Sequence, residues 1–461
     1  MMKLTFARTI RFAAGKKLSF SAFCFPLLGF LSVAAYFPAL AQGAGRLVWL
    51  GTMGAQSSWV ADVSDDGQVV VGWITVKKGG GKQDYAFWWK KGIMRQLEGI
   101  GENESQALAV SADGTVIVGW VRDSMGQSQM CSWQYGKVRK FKLPFGQQGI
   151  ATDVSFDARV IVGYVWINNT LRAVRWNNGQ FHDLGSLGGD GSLAFAVSAD
   201  GSVVVGWAQA SDGNWYAFQW KQGVMHGLGT LGGASSRARA VSANGDVVVG
   251  AAETVDRRRH AVRWVHNSLE DLGTLGGKHS EARAVSADGQ VVVGWAMTEE
   301  GEKHAFRWTQ QRGMEDLNEM YAHLLTDGSI LTVAIALSPD ARFIVGNGWN
   351  AKTGRQEAFW LDTQGSTGIM TPLEKGQQHC DITFDPASWR LRVQCNLQQS
   401  RPLYITIFDA LGRVVGSKQL QDVIPGQLPI QIPMPLLPQG WYWCAVKIGD
   451  RLTVHPFFVS R

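Results

Sequence analysis

The sequence predicts an all-β protein in which a signal peptide precedes a seven-bladed β-propeller and a small Ig-like β-sandwich. Three observations lead there. A Val-Ser-x-Asp-Gly element recurs with its serine at Ser64, Ser111, Ser155, Ser198, Ser242, Ser286 and Ser338, at spacings of 47, 44, 43, 44, 44 and 52 residues; a period near 44 with several short strand signals per copy marks a propeller. The period stops after Leu373, and a different pattern of strand runs fills the rest of the chain. The first 41 residues carry a basic start and a long apolar run.

The N-terminal 41 residues read as a secretory signal: Lys3, Arg8, Arg11, Lys16 and Lys17, an apolar run from Leu18 to Leu40, and Ala39-Leu-Ala41 as a small-x-small cleavage site. The run is long enough to span a bilayer, so an uncleaved anchor is the competing reading; Pro26, Pro38 and the cleavage triplet favour removal. Cys24 follows Phe23 rather than a small residue, against a lipoprotein. The formal charge is +6, but five of the 44 basic residues lie in this segment, leaving 39 basic against 38 acidic. A mature chain so balanced has no basic excess for a polyphosphate partner, which argues against a nucleic-acid role. After signal removal no transmembrane segment is expected.

Residues 46–373 hold the seven copies. In the sixth, Ala284-Val-Ser-Ala-Asp-Gly289 gives a first strand ending in a turn dipeptide whose two positions both tolerate positive φ. Val291-Val-Val-Gly-Trp295 is a second strand whose unbroken apolar run implies burial on both faces. A longer polar loop around Thr298–Lys303 comes next, then His304-Ala-Phe-Arg-Trp308 as the third strand, and Met314–Leu317 as the fourth. Four antiparallel strands make one blade. Leu47-Val-Trp-Leu-Gly-Thr-Met-Gly54 is a fourth-strand element with no first three strands before it, so it is expected to complete the last blade and close the ring; Ile369–Leu373 is a rival for that edge. The longest spacing contains Asp316–Leu325, where Leu317, Met320, Tyr321 and Leu324 fall at helical spacing, predicting a short packing helix between blades 6 and 7.

Repetition separates framework from candidate site. Seven serines each two residues before an aspartate or asparagine are read as turn residues, because an active site needs one constellation and a hairpin needs the same turn every time. His260 and His304 share a slot held elsewhere by Tyr85, Gln129, Arg172, Tyr216 and Glu357, so no shared metal site or general base is expected there. No Cys-x-x-Cys occurs, and no cofactor is called for. Tryptophans recur at the ends of second strands (Trp73, Trp120, Trp207, Trp295) and third strands (Trp89, Trp133, Trp176, Trp220, Trp264, Trp308), as packing between blades requires. Trp166, Trp215 and Trp349 fall off this pattern and are the candidate ligand-stacking residues, with an extracellular glycan or protein as the partner class.

The motifs His304-Ala-Phe-Arg-Trp308 and Asp271-Leu-Gly-Thr-Leu-Gly-Gly277, with relatives such as Tyr85-Ala-Phe-Trp-Trp89 and Tyr216-Ala-Phe-Gln-Trp220, resemble the HAF repeat family of extracellular bacterial proteins. That resemblance implies secretion and repetition and no particular activity. Residues 374–379 read as a linker and 380–461 as a separate domain. There Asp385-Pro386, Leu411-Gly-Arg-Val-Val415, Leu437-Pro-Gln-Gly-Trp-Tyr442 and the basic end at Arg461 resemble the C-terminal sorting domain of type IX secretion cargo. It departs from the family in having Asp-Pro where Asn-Pro is usual. The resemblance implies export by the type IX machinery acting on residues 380–461. Of Cys380, Cys395 and Cys444, one pair is open to oxidation; Cys395 with Cys444 is preferred because both lie in strand-like runs. The sequence thus points to a secreted, non-enzymatic binding module, with a polysaccharide-acting hydrolase or lyase, or a structural surface protein, as the alternatives.

Overall fold

A computed structural model describes residues 45–364, apart from 100–102, 144–147, 178 and 267, together with strands between 380 and 459. The signal segment, Ile369–Leu373 and the 374–379 linker lie outside the described residues. The chain divides into two units, Met1–Gly365 and Ser366–Arg461.

The first unit is a seven-bladed propeller. Six four-stranded antiparallel sheets follow one another in sequence order. Blade 4 is typical, with strands Gly188–Val197, Val203–Ala210, Trp215–Lys221 and Val224–Gly227. Blade 7 takes Ile330–Leu337, Phe343–Asn350 and Arg355–Asp362 from the end of the unit and its outer strand, Arg46–Trp49, from the beginning. In that closure Leu47 lies opposite Leu361 and Trp49 opposite Phe359. The first strands of successive blades touch one another all the way round, blade 7 against blade 1 included, so they form the innermost ring.

Each blade buries its faces only against a neighbour. Among the described residues one apolar cluster fills each junction between blades. Val69, Val71 and Ala86 of blade 1 meet Ile117, Cys131 and Trp133 of blade 2, and Trp360 and Phe343 of blade 7 meet Val70, Phe87 and Trp89 of blade 1. The recurrent third-strand tryptophans sit in these junctions: Trp133 and Trp264 are fully buried, and Trp89, Trp308 and Trp360 nearly so. Second strands are buried on both faces, as their unbroken valine runs require. A bulge kinks every first strand, bringing its backbone onto the glycine of Val-Val-Val-Gly. A Cβ at Gly206 would lie 2.0 Å from the Leu193 carbonyl oxygen, so no larger residue fits.

The repeated serine is a turn residue. Ser198 Oγ donates to Asp200 (2.7 Å) and accepts from the Val203 amide (2.9 Å), while Asp200 accepts from the Ser202 amide (2.9 Å). The same arrangement recurs at Ser64, Ser111, Ser155, Ser242, Ser286 and Ser338. In the third copy, where Asp157-Ala158 replaces Asp-Gly, Ala158 takes the glycine position at φ 57°. Two other expectations are adjusted. The polar loop around Thr298–Lys303 is a tight hairpin, because the flanking strands run into it. The helix between blades 6 and 7 is one α-turn, Leu317–Met320, capped by the Asp316 side chain, and one 3-10 turn, Ala322–Leu324; Leu317 and Tyr321 are buried against blades 6 and 7.

The second unit carries two antiparallel sheets. Cys380–Asp385, Arg390–Cys395 and Ile430–Pro433 form one; Val414–Val423, Arg401–Asp409, Gly440–Ile448 and Arg451–Val459 form the other. Cys444 is buried in the second sheet, opposite Ile407 and His455, and its thiol is free, with burial pushing its pKa up to about 12. The Cys395–Cys444 pairing is therefore not formed. In register it is Cys380 that stands opposite Cys395. Likeness of strand character was the wrong criterion, since it does not say which sheet a strand joins.

If the serine hydroxyl fixes each turn, Ser198→Ala should destabilise the chain by about 1–3 kcal/mol, the cost of leaving the Val203 amide without its acceptor. Urea unfolding checks this, and a Ser202→Ala control should cost well under half as much.

Candidate functional site

The three off-pattern tryptophans occupy one face of the ring. Trp166 lies one residue before the end of its second strand, opposite Leu171. Trp349 holds the corresponding place in blade 7, opposite Gln356. Trp215 opens the third strand of blade 4, opposite Gln209. All three adjoin the hairpin between second and third strands, in blades 3, 4 and 7. Trp349 is 40 % exposed; Trp166 and Trp215 are half-buried. Trp166 packs edge-on against Tyr164 (centroids 5.7 Å apart) and Trp215 leans on the pattern residue Trp207 (4.6 Å). An indole so supported keeps one face fixed and loses little entropy on binding a ligand.

The histidine slot is structural. His260 Nδ1 meets Asp271 Oδ2 at 2.8 Å and His304 Nδ1 meets Asp316 Oδ2 at 2.5 Å, and in blade 3 Arg172 makes the same pairing with Asp183. The aspartate also accepts from a backbone amide two residues on, Gly273 in blade 5, so it ties the fourth strand to the turn leading into the next blade. Among the described residues no three His, Cys, Asp or Glu side chains gather as a metal-ligand set.

Two features were not foreseen. On the innermost strands, Asp62 and Asp153 each bridge to the following blade: Asp62 Oδ2 accepts from the Val110 amide (2.9 Å) and Asp153 Oδ2 from the Val197 amide (2.8 Å). Burial, outweighing these hydrogen bonds, raises both carboxyls to about 7, helped at Asp62 by the charge of Asp153. The corresponding residue is alanine in the other blades, for example Ala109, Ala196 and Ala240. The second is a group of cations on blades 5 and 6. Glu281, fully buried, is held by Arg237, by Arg239 (2.8 Å) and by Arg283 (3.5 Å). Burial would raise the Glu281 carboxyl, but the charges of Arg283, Arg239 and Arg237 override it and bring it down to about 2. Arg237 and Glu281 hold the same position in adjacent repeats, as do Arg239 and Arg283. That periodic offset of 44 residues was legible, whereas the meeting of blades 5 and 6 was not. A cleft of about 140 Å³ between blades 4 and 5, lined by Lys221, Gly245, Trp264 and His266, opens at the opposite end of the strands and is small for a ligand pocket.

No family model matches the chain, and no curated protein matches it. Solved structures do. TolB from Acinetobacter baumannii shares 14 % identity over 65 % of this chain and 82 % of its own, with a TM-score of 0.39. The β-propeller domain of the Trilobed protease from Pyrococcus furiosus shares 12 % over 66 % and 95 %, at 0.44. Oligogalacturonate lyase from Vibrio parahaemolyticus shares 10 % over 68 % and 93 %, at 0.46. At such distances neither activity nor ligand transfers, and the propeller stands on its own register and ring closure.

The raised carboxyls predict a pH dependence. Their folded pKa lies above the unfolded value, so the native state binds more protons between about pH 4 and 7, and stability falls as pH rises through that window. The Asp62→Ala/Asp153→Ala double variant, carrying the residue of the other blades, should flatten this slope in denaturant titrations at pH 4, 5.5 and 7.

Proposed function

We propose that the chain is a secreted or cell-surface, non-enzymatic binding module: a propeller of HAF-type repeats that holds an extracellular glycan or protein on the face bearing Trp166, Trp215 and Trp349. The observation that carries this reading is the placement of all three tryptophans, none required by the repeat, beside the same hairpin of their blades. Aromatic faces on a rigid support suit the apolar face of a sugar ring, and the stiffness of the ring keeps their mutual spacing fixed.

Export in this reading runs in two steps, through the signal segment 1–41 and then through residues 380–461, taken as an Ig-like sandwich recognised by the type IX machinery. Its support is the sequence pattern at Leu411-Gly-Arg-Val-Val415 and Leu437-Pro-Gln-Gly-Trp-Tyr442, carried in a unit of two antiparallel sheets.

A glycan array probed with the mature chain should give saturable binding, lowered at least tenfold by Trp349→Ala and by Trp215→Ala, each folded as judged by circular dichroism. Turnover of a polysaccharide would replace the module with an enzyme, and absence of binding would remove the tryptophan site. In a host with type IX secretion, deletion of residues 380–461 should trap the propeller in the periplasm; unchanged release into the medium would sink the sorting assignment.

A further inference from the structure

The cations of blades 5 and 6 exceed what their internal partners neutralise. Arg237 and Arg239 come from the innermost strand of blade 5, Arg283 from that of blade 6. Arg259 and Lys303 open the third strands of the same two blades and both lie over the Trp295 indole, at 5.6 and 4.4 Å from its centroid. Against these five stand two carboxylates. Glu281 is saturated by the three arginines around it. Glu253, paired in register with Arg259, accepts from the Ser235 hydroxyl at 3.1 Å.

The donors confirm the imbalance. The Nε–H groups of Arg237 and Arg259 are buried without an acceptor, and that of Arg283 lies 3.5 Å from Glu281 without a hydrogen bond. A buried charged donor left without an acceptor costs more than a neutral one, so such groups mark a place where an acceptor belongs. The neighbours feel the excess: burial first, then surrounding arginines, lowers Lys303, and His279 is lowered by burial and by Arg259 and His260. Nor is the group a remote surface patch. Glu281 pairs with Trp295, Arg259 with Glu253 and Lys303 with Met297, which places the cluster at the same ends of the strands as the candidate tryptophans.

We propose that this cluster is an anion-binding site for a carboxylate group carried by a soluble ligand, seated against Arg259, Arg237 and Arg283 beside Glu281. A carboxylate fits better than a phosphate because the site already shows the geometry, with each Glu281 oxygen taken by a different guanidinium, and because a single charge costs less to desolvate at half-buried arginines than two. The site does not depend on sugar stacking: a chain that binds a free acid and no neutral glycan would keep this site and lose the tryptophan reading.

Isothermal titration of the mature chain at low ionic strength, with citrate, glucuronate, glucose and inorganic phosphate as probes, tests it. Citrate and glucuronate should bind saturably and glucose should not. Arg259→Gln, which leaves the three arginines on Glu281 untouched, should weaken citrate at least tenfold. Glu281→Gln should tighten citrate about tenfold by releasing Arg237 and Arg239 to the ligand. Binding of phosphate but neither acid would overturn the carboxylate assignment. No binding by any anion, or citrate binding unchanged in Arg259→Gln, would overturn the site and leave the cluster a structural ion-pair network.

Discussion

The structure depends on one constraint: a four-stranded blade of this sequence has two apolar faces and must find a neighbour for each. Among the described residues, five of the seven junctions share one bond. The third-strand alanine of one blade donates its amide to a serine on the innermost strand of the next, as Ala217 does to Ser236 (3.0 Å) and Ala261 to Ser280 (2.7 Å). The last junction repeats it across almost the whole unit, Ala358 to Ser58 at 2.9 Å. The buried serine gives that backbone amide an acceptor in an otherwise apolar interface. Backbone amides just past the turn serines add a second ring of bonds, for example Ala199 to the Ala243 carbonyl (3.1 Å). That ring cannot be complete, since Pro339 has no amide to offer.

Most of this was legible. The recurring serine gave the number of blades, and the orphan fourth-strand element at Leu47 gave the closure, because a strand lacking its own hairpin must pair with a distant one. The third-strand tryptophan periodicity foretold the junction cores, whereas the second-strand tryptophans Trp73, Trp120, Trp207 and Trp295, expected there too, lie outside the junction clusters. The interblade serine was legible too and passed unread: Ser58, Ser105, Ser192, Ser236 and Ser280 each stand six residues before a turn serine. What the sequence did not reveal is whatever depends on two blades meeting. Arg237 and Glu281 look like one drifting position until adjacent blades bring them together. Asp62 and Asp153 look like worn alanines until their carboxylates are seen to bridge to the next blade. The cysteines failed for a related reason: Cys395 and Cys444 have similar surroundings in sequence and belong to different sheets.

The candidate tryptophans and the cations share the hairpin end of blades 3 to 7. The other end carries the repeated serine turns, whose hydroxyls and carboxylates are spent on their own backbone. A division of labour of this kind follows from the repeat itself. Turns that must be identical to close the blades leave little freedom, while the hairpins between second and third strands, from Lys78–Gly81 to Ala210–Trp215, differ in length and composition.

Ring closure by the N-terminal strand tests the account most directly, through hydrogen exchange read by mass spectrometry on the mature chain. If Arg46–Trp49 completes blade 7, the amides of that strand paired with Arg355–Asp362 should exchange only with global unfolding, as slowly as those of Val203–Ala210 in blade 4. Exchange of 46–49 within seconds, with blade 4 still protected, would mean an open ring and contradict the seven-blade closure on which everything here rests.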